Sequence, residues 1–175
     1  MNSKLIGIAL GLSLFVAATS ASPAEAEEAV VQSASGSGER VLSGAEHGFR
    51  TFAFGVVKYS DGSVTGEAEV RNPVLGTLRH FQLDCLNVFP GNSGSPIAVA
   101  SGVVTAAEDD ALLGRPAVFA VQDNGEGADA PPDRTTLGVN LNPAPCTAFT
   151  TEDSLKAVFP RGLLDIDAGG IQVRS

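Results

Sequence analysis

The chain has 175 residues, with 20 acidic and 11 basic side chains and a formal net charge of −9. Such a balance, without any Lys/Arg cluster, repels phosphate backbones and excludes nucleic acid as a partner. Its longest apolar run, Leu5 to Ala18, falls short of the ~20 residues that cross a bilayer, so no transmembrane anchor is expected.

The N-terminus has the three parts of a secretory signal. Lys4 supplies the positive charge, Leu5 to Ala18 the apolar run, and Thr19-Ser20-Ala21-Ser22 the small side chains that a signal peptidase accepts. Residues 1–21 read as a signal peptide cleaved after Ala21, with Ala26 as the alternative, and the product as secreted, outside the cell or in its envelope. Residues 22–43 are rich in Ala, Ser, Gly and Glu and nearly free of large apolar side chains. They read as a flexible acidic leader that cannot bury enough surface to offset its ordering entropy. The remaining residues 44–175 are enough for one core and too few for two domains.

Strand periodicity fills that domain. Phe49 to Tyr59 places Phe52, Phe54 and Val56 on one face, and Asp61-Gly62 supplies a tight turn. From Ser63 to Arg71, Val64, Gly66, Ala68 and Val70 point inward while Thr65, Glu67, Glu69 and Arg71 point out. After the break at Asn72-Pro73, residues Thr77 to Phe89 alternate Phe81, Leu83 and Cys85 against His80, Gln82 and Asp84. Further strands are expected at Ile97–Thr105, Arg115–Gln122 and Thr135–Asn142. A short helix follows at Glu152–Val158, then a last hairpin whose arms flank Ala168-Gly169-Gly170. The fold class is therefore all-β: a single antiparallel β-barrel or β-sandwich of about eight short strands. A barrel is favoured slightly, because closure removes exposed edges.

Two cysteines in an exported chain read as a disulfide, here Cys85 with Cys146, 61 residues apart. Closing a loop of that length contributes about 4 kcal/mol in the chain-entropy model.

Three features bear on function. Gly91-Asn92-Ser93-Gly94-Ser95-Pro96 resembles the nucleophile loop of chymotrypsin-fold serine proteases of the glutamyl-endopeptidase branch. Glycines there let backbone N–H groups form an oxyanion hole, and the resemblance implies Ser93 as nucleophile. It covers six residues. The histidines that would serve as base are His47 and His80, and neither stands in that family's Ala-Ala-His context. The second feature is the loop from Asp123 to Asp133, where Asp123, Glu126, Asp129 and Asp133 crowd among glycines. Calcium takes oxygens from such loops, although the spacing is not that of an EF-hand. Third, the aromatic residues Phe49, Phe52, Phe54, Tyr59, Phe81, Phe89 and Phe119 line either a ligand cavity or a filled core.

The stretch Phe119 to Arg134, with its Val-Gln-Asp-Asn-Gly-Glu-Gly and Pro-Pro-Asp-Arg segments, resembles a set of small exported bacterial β-domain proteins, as do Leu83–Val88 and Gly91-Asn92. In that set a cysteine-bearing strand leads into a Gly-Asn turn and a second cysteine lies downstream. The similarity runs from Phe49 to Cys146, and it implies that Gly91-Asn92 is a hairpin turn with no need of Ser93. No activity travels with it. The sequence thus points to an exported, monomeric, non-enzymatic β domain without catalytic residues or cofactor, binding a small ligand or protein partner or serving a surface role. The alternatives are a serine hydrolase using Ser93 and a small-ligand or calcium-binding barrel.

Overall fold

The computed structural model describes residues 28–42, 48–136 and 144–175. The signal segment, His47 and most of the strand expected at Thr135–Asn142 lie outside them. Among the described residues nine strands form one antiparallel sheet: β1 (Val30–Leu42), β2 (Gly48–Tyr59), β3 (Val64–Asn72), β4 (Thr77–Pro90), β5 (Pro96–Ala106), β6 (Pro116–Gln122), β7 (Arg134–Thr135), β8 (Leu164–Asp165) and β9 (Ala168–Arg174). Their order is β8-β7-β6-β5-β4-β3-β2-β1-β9, and the sheet curls into a half-barrel. The all-β antiparallel class with one disulfide is as expected, and of the two architectures the sheet takes the barrel side. No helix among the described residues is long and apolar enough to cross a membrane.

The expected leader needs correction. Residues 30–42 are not a flexible tail but strand β1, paired on one side with β2 and on the other with β9. Its small residues are what the position requires. Ala34, Gly36 and Gly38 face the interior, and a Cβ on Gly36 would lie 2.7 Å from the Gly170 carbonyl oxygen. One on Gly38 would lie 2.8 Å from the Phe52 ring. A strand pressed this closely on its neighbours holds its place without large side chains of its own.

The interior of the curl holds Phe52, Phe54, Val56, Phe81, Leu83, Leu86, Phe119 and Val121, with Ile171 and Val173 from β9. Phe54 and Phe119 meet edge to face at 5.4 Å between ring centroids, a favourable aromatic geometry. A second core lies on the opposite face of β4, β5 and β6. There Phe89, Ile97, Val99, Val118 and Ala120 pack against Cys146, Phe149, Leu155, Phe159 and Leu163. Residues 144–163 thus form a cap over that part of the sheet. The cap contains the short helix α1 (Glu152–Leu155), whose Thr151 and Ser154 exchange side-chain and backbone hydrogen bonds as a capping box.

Two further expectations change. Cys85 does not share a face with Leu83: a β-bulge leaves Asp84 without a cross-strand partner between the pairs Leu83–Gly102 and Cys85–Ser101. The extra residue flips the alternation, so Leu83 and Leu86 face the interior while Cys85 faces the cap. And the last two strands are not a hairpin. β8 pairs with β7, β9 pairs with β1, and Ala168-Gly169-Gly170 begins β9 rather than making a turn. Gly169, at φ 107°, sits so close to Ser37 that a side chain would collide with its carbonyl oxygen.

Candidate functional site

The Cys85–Cys146 disulfide forms, with Cα atoms 5.8 Å apart, and ties the cap to β4. Around it the cap is bonded to the sheet by polar groups. Cys146 N donates to Ser101 Oγ at 3.2 Å, and Asn87 Nδ2 donates to the Phe149 carbonyl at 2.6 Å.

The Gly91–Pro96 string is the turn between β4 and β5. Gly91 N donates to the Ser95 carbonyl, and Gly94, at φ 87°, takes the left-handed conformation that glycine adopts freely. Ser93 Oγ accepts from Gln122 Nε2 at 3.2 Å. Gln122 is buried, and its Oε1 accepts from Arg134, which also reaches Glu152 and the Leu163 carbonyl. Glu152 in turn accepts from Asn92 N at 3.0 Å. The serine is therefore one end of a hydrogen-bonded chain that fastens the turn to the cap. His80 is not brought to it. That residue pairs with Ala106 at the far end of the β4–β5 hairpin, ten residues before Pro90, about 33 Å along the strand. His80 instead faces Glu69, at 3.6 Å.

The four acidic residues considered for calcium are split in purpose. Asp123 Oδ1 accepts from Gly125 N at 2.8 Å and its Oδ2 from Val173 N at 3.0 Å. Asp133 Oδ1 accepts from Asn124 N at 2.8 Å and its Oδ2 from Ile171 N at 2.7 Å. Glu126 accepts from Gln172 Nε2 at 2.9 Å, while Asp129 is exposed. Backbone donors thus occupy both oxygens of Asp123 and of Asp133. Among the described residues no group of three or more His, Cys, Asp or Glu lies together as a metal site.

The interior offers little room. The void among Phe52, Phe54, Ala68, Val70, Phe119 and Val121 measures about 20 Å³, the space of roughly one water molecule. Phe52, Phe54, Phe81 and Phe119 fill the core, Phe89 belongs to the second core, and Phe49 is exposed.

The open space is outside, on the face of the sheet that the cap leaves bare. A groove of about 1100 Å³ crosses β2, β3 and β4 as far as Thr105 and Ala106 at the end of β5. Cross-strand register lays out its floor in two rows: Gly55, Glu67 and Gln82 in one, Ala53, Glu69 and His80 in the other, with Gly36 of β1 at the margin. Gly and Ala stand on β1 and β2, and the polar side chains rise on β3 and β4. Glu67 and Glu69 are two positions apart on one strand, about 7 Å, and among the described residues no Lys or Arg lines the groove. Gln82 Nε2 is held by the Gly66 carbonyl at 2.8 Å. The outward positions of β3 and β4 are readable from alternation. Their meeting with Gly36 of β1 is not, because that stretch lacks the apolar bulk that marks a strand in sequence.

The chain matches no protein-family model, no curated protein and no solved structure.

Proposed function

We propose that this is an exported, non-enzymatic binding domain that holds a partner on the bare outer face of β1 to β4, and that the partner carries positive charge. The observation that carries the reading is the contrast in space: about 20 Å³ inside the curl and about 1100 Å³ in the groove outside it. Among the described residues the void inside the curl is too small to enclose a ligand as a lipocalin does, whereas an extended polymer or a protein surface has a trough four strands wide. The carboxylates of Glu67 and Glu69, without a lining Lys or Arg among the described residues, favour a cationic occupant and disfavour an anionic one. Export fits the apolar N-terminal run and the cysteine pair, since disulfides persist in oxidising compartments.

A fluorescent oligolysine peptide tests the reading by anisotropy at low ionic strength. Binding should weaken several-fold in Glu67→Gln/Glu69→Gln and fade as salt is raised, because exposed charges are screened. A peptide that binds both chains alike, or neither, would remove the groove from consideration.

A further inference from the structure

The two edges of the sheet differ. β8 is two residues long, whereas β9 has seven, one side of it paired with β1. Its other side presents the N–H groups of Ile171 and Val173. These donate to Asp133 Oδ2 at 2.7 Å and Asp123 Oδ2 at 3.0 Å. Between them Gln172 reaches out to Glu126. Two carboxylates therefore stand where the carbonyl groups of a neighbouring strand would stand. The residues between the clasp points, from Gly125 to Asp129, are exposed and form no part of either core.

An unpaired strand edge of this length is a template for another strand. The strand with the best match is a copy of itself. Antiparallel pairing of β9 with the β9 of a second chain is two-fold symmetric and closes as a dimer. The paired edges would also carry Ile171 and Val173, already buried in each core, to the centre of a continuous sheet.

We propose that the loop from Asp123 to Asp133 is an edge guard, which keeps the chain monomeric by occupying the side of β9 on which a second copy would add. Its aspartates satisfy the edge donors and place negative charge along it, so that an approaching copy meets both a lost set of donors and a like charge. This role is separate from the groove, which lies on the face of the sheet rather than its edge.

The test is the mass in solution of Asp123→Ala/Asp133→Ala, by light scattering and native mass spectrometry over rising concentration. A doubled mass is expected where the parent remains monomeric. Adding Val173→Pro, which removes an edge donor and leaves the β1 side of β9 its own bonds, should return the mass to that of one chain. Should the alanine pair not fold, Asp123→Asn/Asp133→Asn keeps the shape and removes the charge, and the same doubling is expected at higher concentration. A folded variant that stays monomeric throughout overturns the proposal. So does a parent chain that is already dimeric, or a dimer indifferent to Val173→Pro.

Discussion

The two halves of this sheet obey different rules. In β2 and β3 one face is buried and the other bare, and the sequence alternates: Phe52, Phe54 and Val56 inward, Ala53, Gly55 and Val57 outward. In β5 and β6 both faces are buried, one by the interior of the curl and one by the cap, and alternation disappears. Ile97 to Ala100 and Ala117 to Val121 are buried without interruption. A strand's pattern therefore reports how many of its faces are covered. In this chain it also separates the half that is fastened down from the half that is free to meet something else.

The comparison can be broken most severely at glycine. A Cβ on Gly102, opposite Leu83 beside the Asp84 bulge, would lie 1.9 Å from the Gln82 carbonyl oxygen, with two more backbone atoms at 2.8 Å. Backbone cannot yield as a side-chain tip can. Gly102→Ala should cost more than about 4 kcal/mol, or abolish folding, measured by denaturant unfolding. Gly55→Ala, on the bare face with nothing within 4 Å, should fall within about 0.5 kcal/mol of the parent. Equal costs would mean that the two halves are not packed differently.

Next in size is the disulfide. Cys85→Ala/Cys146→Ala should lose about 4 kcal/mol, the chain-entropy value for a 61-residue separation. The loss should appear first as faster hydrogen exchange in the cap and in β4 to β6, with β2 and β3 less affected. Uniform loss of protection across the sheet would show that cap and sheet unfold as one.

The smallest effect concerns the ion pair of Arg79 with Glu108, near the end of the β4–β5 hairpin. The guanidinium hydrogen-bonds the Glu108 carboxylate and holds its pKa below the usual glutamate range. A carboxyl group whose pKa is lowered by folding stabilises the native state above its unfolded pKa, and the contribution is lost as pH falls through the folded value. Both groups are about one-third exposed, so the contribution is under about 1 kcal/mol. Glu108→Gln should lower the melting temperature slightly at neutral pH and converge with the parent in acid. A gap that widens in acid would contradict the sign.

Much of the fold was legible because local chemistry and burial agree. Asp61-Gly62 marks the β2–β3 turn, and Gly62 takes φ 90°. The apolar run of β6 could hardly be anything but a buried strand. What escaped the sequence depends on partners that a single segment does not name. The Ser-Ala-Ser-Gly-Ser-Gly stretch of β1 has the period of a strand but none of its bulk, because the bulk comes from Phe52 and Ile171 across the way. The Asp84 bulge turns Cys85 toward the cap, and an extra residue on one strand shows itself only once the register with the next is known. For the Asp123–Asp133 loop the charge was evident. Its use was not, since the donors that claim it sit on β9, far along the chain. The groove was invisible for the same reason as β1, which lies at its margin.

The pairing of β1 with β9 has a consequence for how the molecule is made. Ser33 lies opposite Arg174, so the first described strand waits for the last before its second side is satisfied. A chain threaded across a membrane from its N-terminus would deliver β2 early, and one side of β1 with it. The other side would remain open until every intervening residue had emerged. Contacts so remote in sequence form slowly. In such a chain the β9 side of β1 would stay open meanwhile, and a strand of serines and glycines offers a chance neighbour few large apolar side chains to pack on.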